Sequence, residues 1–247
     1  MQWAESINKV AGVALLLLSL GIIVSVAAEL GITDKDPFER DEVAEFLTDI
    51  HDNRELAIIG TAADVVTDAA LSIVAAAALY LVFRERSRVL AMFTFALILG
   101  GSAAFMAADA ANVSLIILAE DFAEKGGAGG IPAGDESILE IARALALWAF
   151  TIEQVAFTAI GVGLISLGVL IAWTSEGAGP APPRWLGGLG VFAGLATVLS
   201  WIGAVSTDVG IAFFIIGALA ILLFLIILGV WLLFMAPEER QPATATM

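Results

Sequence analysis

Residues 55–83 read ELAIIGTAADVVTDAALSIVAAAALYLVF, an apolar run that carries a polar stripe of Thr61, Asp64, Asp68 and Ser72. Spacings of three, four and four residues put these side chains on one face of a helix. The run is long enough to cross a bilayer, which takes about 20 residues at about 1.5 Å each. That face therefore needs a polar partner. Glu29, Asp109, Glu153 and Asp208 lie in or beside other apolar runs and could supply one.

The rest of the chain repeats the apolar pattern. Hydrophobic residues make up 60% of it and the mean hydropathy is +0.97, which excludes an ordinary soluble domain. The expected fold is all-α: a polytopic membrane helical bundle of six transmembrane helices, spanning about 10–30, 55–83, 89–118, 140–173, 185–206 and 210–235. Residues 1–236 then form a single six-span domain, with an outer cap of 31–54 and 119–139 and a flexible tail at 237–247. The head before the first span is weakly basic, so this segment reads as a retained span rather than a cleaved signal.

Within the first outer loop, Asp36-Pro37-Phe38-Glu39 has the order of a capping box, and Val43, Phe46, Leu47 and Ile50 recur at helical spacing. This predicts a short amphipathic helix over about 37–52, lying on the membrane or capping the bundle. His51 falls at its end as a surface residue. Asp135 could cap the fourth span.

The tight link Arg84-Glu85-Arg86-Ser87-Arg88 reads as a cytoplasmic turn. Lys9, Arg184 and Arg240 fall on the same side when both termini are cytoplasmic, which is the expected orientation. The glycine-rich stretch 126–134 is then an outer loop.

The net charge of −15 comes from 26 acids against 11 bases, which makes nucleic acid a poor partner. Acid-rich, lysine-poor chains resemble proteins of salt-loving microbes. With no cysteine and one histidine, no metal site and no cofactor is expected.

An acid at the centre of a span costs about 2.5–3.5 kcal/mol, so depth decides how much explanation each one needs. Counted from the inner ends of the spans, Asp64 is 19 residues from Phe83, Asp109 is 20 from Val89, and Glu153 is 20 from Trp173. Glu29 and Asp208 arrive at a similar level, so these acids form a collar near the outer hydrocarbon boundary. Asp68, 15 residues from Phe83, lies deeper. Asp64, Asp68, Asp109, Asn112 and Glu153 are the candidate polar cluster, able to bind a cation or proton, with Arg54 and Arg143 as candidate charge partners. The glycines Gly190 and Gly194 form a GxxxG pair, and Gly100, Gly101, Gly161, Gly168 and Gly187 are further points where helices could approach closely.

Catalytic patterns are absent: there is no GxSxG, HExxH, GxGxxG or P-loop. The stretch Asn53 to Asn112, with its Leu-Tyr-Leu-Val-Phe-Arg-Glu-Arg-Ser-Arg exit and returning span, resembles a family of multi-pass prokaryotic membrane proteins known only as a domain of unknown function. So does Gly161 to Leu199, around Pro183-Arg184-Trp185-Leu186-Gly187-Gly188. The resemblance implies a helical bundle in a prokaryotic plasma membrane and carries over no catalytic residue. The leading expectation is a non-catalytic structural or accessory protein that binds lipid, a membrane partner or a second copy of itself. The alternative is a transporter, channel or sensor for a cation, proton or small solute; a lipid-directed enzyme is third. No span has a proline in its interior, which weighs against the broken helices of many transporters.

Overall fold

The structure is a computed structural model that describes residues 2–32, 35, 37–39, 42–125, 136–173, 182–203 and 207–234. Among them every regular element is helical. In chain order these are α1 (Gln2–Ile32), α2 (Val43–Asp52), α3 (Arg54–Val65), a π-helical turn (Val66–Leu71), α4 (Ser72–Phe83), α5 (Arg88–Glu124), α6 (Glu136–Trp173), α7 (Arg184–Gly203) and α8 (Thr207–Phe234). Helices are the expected solution here, because in hydrocarbon each backbone N–H and C=O must find its partner within its own segment.

Five stretches are long and apolar enough to cross a membrane: Ser6–Ile32, Arg54–Phe83, Arg88–Glu124, Ser137–Trp173 and Ile215–Phe234. Arg184–Ser200 is a shorter apolar helix. The expected bundle is thus a helical membrane protein with five such spans among the described residues, and the fifth expected span corresponds to the shorter helix. The glycine-rich loop, the Asp36 and Asp135 caps and the tail at 237–247 lie outside the described residues, as do the side chains of Glu29 and Asp208.

The chain divides into two compact units: Met1–Leu16, Val74–Ile98 and Gly161–Met247 in the first, Leu17–Ile73 and Leu99–Ile160 in the second. Glycine contacts hold the first together. A Cβ on Gly168 would lie 2.5 Å from the carbonyl oxygen of Gly187, and one on Gly12 would lie 2.7 Å from that of Gly229. These positions let α6 meet α7, and α1 meet α8, backbone to backbone. Thr94 donates to Ser166 Oγ at 3.0 Å, a buried link between α5 and α6.

The second unit has a core of a different kind. At 37 residues, α5 is about 55 Å long, well beyond the roughly 30 Å of a hydrocarbon layer. Its far end, with Leu115, Ala119 and Phe122, packs on Ile138, Ala142 and Ala146 of α6 and on Val43, Leu47 and Ile50 of α2. The amphipathic helix therefore caps this end of α5 and α6.

It starts later than its sequence pattern predicts. Residues Pro37 to Glu39 form a turn, and the helix opens at Val43 after Glu42, whose N–H donates to Glu39 O at 3.1 Å. The reason is tertiary: Phe38 turns away to meet Phe150 of α6 edge-on, ring centroids 5.3 Å apart. At the other end, the Asn53 side-chain amide donates to Ile32 O at 3.1 Å and to Asp49 O at 3.0 Å. This satisfies terminal carbonyls of α1 and α2 together.

Candidate functional site

The second span begins as α3 and changes winding at Val66. Ser72 N–H donates to Thr67 O, five residues back, instead of to the carbonyl four residues back. A π-helical turn of this kind widens the helix and turns extra side chains toward one side. Here Thr67 and Ser72 are both buried, with Asp64 and Asp68 half-buried beside them. The stripe read from the sequence is therefore wider than α-helical spacing allows, and it gains Thr67.

Two elements close around this turn. From α1, Gly21 faces Thr67 so closely that a Cβ there would overlap the threonine hydroxyl. Ser25, one turn further along, is buried and hydrogen-bonded to Asp64. From α5 comes Asp109, only 5% exposed, whose Oδ2 is buried without a hydrogen-bond partner. The carboxyl groups of Asp109, Asp64 and Glu153 of α6 all lie within electrostatic range of Asp68. Four carboxyl groups from three spans therefore share one polar region of the second unit. Among the described residues, no three acidic or histidine side chains converge closely enough to hold a metal ion.

Beside the acids lies a cavity of about 230 Å³. Thr61 and Asp64 of α3 and Asn112 of α5 supply its polar wall, Phe46 and Ile50 of α2 are among its apolar residues, and Leu115 and Ile116 close one side. Asn112 follows Asp109 by three residues, so the two stack on one face of α5. The cavity is thus assembled by the same packing that seats α2 on the ends of α5 and α6.

A family model described as Domain of unknown function (DUF4386) matches residues 10–236, nearly the whole chain. The chain belongs to this family. Neither the curated proteins nor the solved structures contain a match.

In this DUF4386 protein the sequence-predicted residues fall into two groups. Asp64, Asp68, Asp109 and Glu153 come together, and Asn112 joins Asp64 on the cavity wall. Arg54 pairs instead with Glu120 of α5, Nε to Oε1 at 2.6 Å, and Arg143 is exposed. Depth along the spans singles out Asp68, whereas the structure makes Asp109 the most buried of the four. Depth along a span says nothing about which neighbour covers a side chain.

Ser25, Thr67 and the cavity lining supplied by Phe46 and Ile50 of α2 are the parts that sequence reasoning missed. A serine within the apolar α1 run was the available signal for Ser25; nothing in the local pattern marks a π-helical turn. In the link between α4 and α5, the Arg86 guanidinium lies over the Phe83 ring at 5.4 Å, and burial lowers its pKa from the usual arginine value.

Proposed function

We propose that this protein is a non-catalytic, multi-pass protein of a prokaryotic plasma membrane that binds a small cation in an acidic vestibule on the outer side, as a sensor or accessory subunit. Both termini are cytoplasmic in this reading, which puts the Arg84–Arg88 link inside and the α2 cap outside. The observation that carries it is the cavity beside Asp64. It gives a carboxylate cluster a place to hold a counter-charge, without which grouped acids in a low-dielectric region are costly.

Binding is favoured over passage by how the polar residues are distributed. Among the described residues, the buried polar side chains of the first unit are Thr94, Ser166, Thr197 and Ser200, all hydroxyls. Asp64, Asp68, Asp109 and Glu153 are all in the second unit. A relay across the membrane needs titratable or ligating groups along its whole length.

One observation supports the accessory role. On α5, Ala96, Gly100, Ala103 and Ala110 are exposed at spacings of four, three and seven, with the exposed Met106 among them, and a Cβ on Gly100 would meet nothing within 4 Å. An exposed helix face with small residues suits a helix of a partner protein.

Perfusion-induced infrared difference spectroscopy of the lipid-embedded protein tests the vestibule. Exchange of sodium chloride for ammonium chloride at constant ionic strength is expected to perturb carboxylate bands in the wild type. The Asp64→Asn variant is expected to lose that change. A difference spectrum that is the same in Asp64→Asn, Asp68→Asn and Asp109→Asn would exclude the site.

A further inference from the structure

Resting on this vestibule reading, we infer that the cavity selects an organic ammonium ion with a short alkyl group, in preference to a bare inorganic cation or a neutral solute. The polar wall carries one acid, Asp64, flanked by the amide of Asn112 and the hydroxyl of Thr61. Among the described residues no lysine or arginine lines the cavity, and the nearest described candidate on the sequence, Arg54, is held by Glu120. A cation seated there meets an acid and no described base. Asp109, buried with an unpartnered Oδ2, lies one turn from Asn112 on α5. An ammonium group with up to three donors can meet the Asp64 carboxylate, the Asn112 amide oxygen and the Thr61 hydroxyl together.

The apolar part of the lining decides the rest of the ligand. Phe46, Ile50 and Leu115 supply aliphatic and aromatic groups to it. A strongly hydrated metal ion gains nothing from such a wall and loses water to it. An alkyl group is stabilised there by the burial of its methylenes. Size sets the limit. At about 230 Å³ the cavity has the liquid volume of roughly seven or eight waters and falls below the roughly 300–1,000 Å³ typical of drug-sized ligands. A chain of a few carbons fits.

Isothermal titration calorimetry of the full chain in lipid nanodiscs tests this, with n-propylammonium chloride, ammonium chloride and propan-1-ol as probes. Propylammonium is expected to bind saturably and at least tenfold more tightly than either of the others, and Asp64→Asn is expected to weaken it at least tenfold. Ammonium binding as tightly as propylammonium overturns the organic class while leaving the vestibule intact. Propan-1-ol binding as tightly overturns the need for charge. Absence of saturable heat with propylammonium in the wild type overturns the inference outright, and the infrared exchange then decides separately whether the vestibule itself stands. The comparison of probes on the wild type remains decisive even if Asp64→Asn does not fold.

Discussion

Gly187 and Gly188 are neighbours in the sequence, yet alanine at the two positions is expected to change stability in opposite directions. A Cβ on Gly187 would lie 2.5 Å from Gly168 O, 2.6 Å from Ala172 N and 2.8 Å from Ala172 Cβ. Two of these atoms are backbone, so no rotamer change relieves the overlap. To reach ordinary contact near 3.4 Å, α6 and α7 must part by about 0.9 Å. A gap of about 0.5–1 Å forfeits a quarter to a half of each dispersion contact it opens. The side chains beside this seam include Leu170, Ile171 and Leu186, all fully buried. With a few tens of atom pairs affected, Gly187→Ala is expected to cost about 1–3 kcal/mol.

At Gly188 a Cβ would meet nothing within 4 Å. There Gly→Ala adds only helix propensity and is expected to stabilise by about 0.5–1 kcal/mol. Thermal unfolding in detergent, followed by far-ultraviolet circular dichroism, measures both. At about 2–4 °C per kcal/mol, Gly187→Ala is expected to lower Tm by roughly 2–12 °C, and Gly188→Ala to raise it by roughly 1–4 °C. A Gly187→Ala protein with wild-type Tm, or a Gly188→Ala protein that drops as far, would refute the packing of α6 on α7 described above.

Two further outcomes check the cap and the orientation. Leu47 is fully buried between α2 and the ends of α5 and α6, so Leu47→Ala is expected to destabilise the cap by about 2–5 kcal/mol, read as faster amide hydrogen exchange confined to α2 and its contacts; unchanged exchange would contradict its seating. Because the chain has no cysteine, single Ser87→Cys and Asp49→Cys variants can be labelled with a membrane-impermeant maleimide. Ser87→Cys is expected to react only from the cytoplasmic side and Asp49→Cys only from outside, and the reverse pattern would invert the topology.

Much of the architecture was legible because a membrane imposes a one-dimensional rule. Apolar runs of sufficient length become helices, and the tight basic link between Phe83 and Arg88 makes α4 and α5 neighbours in the chain with no room for another element. The buried face of α2 was legible for the same kind of reason: Val43, Leu47 and Ile50 recur at helical spacing and all are buried. Its start was not, since residues 37–39 form a turn with Phe38 against Phe150 and the helix opens only at Val43. The acids were found as a group, but their ranking was not, because burial of Asp109 depends on helices distant in sequence.

Composition and periodicity alone determined that this protein is a helical membrane protein with carboxylates in its spans, since hydropathy sums along the chain need no knowledge of neighbours. Only the tertiary structure decided which glycine of an adjacent pair touches another backbone, as Gly101 and Gly187 do while Gly100 and Gly188 do not. It also decided that the helix carrying Asp64 and Asp68 unwinds into a π turn against Gly21, and that α2 roofs a cavity beside Asp64. Each of these is a relation between segments far apart in the sequence, and close packing allows only one of the arrangements that the local pattern leaves open.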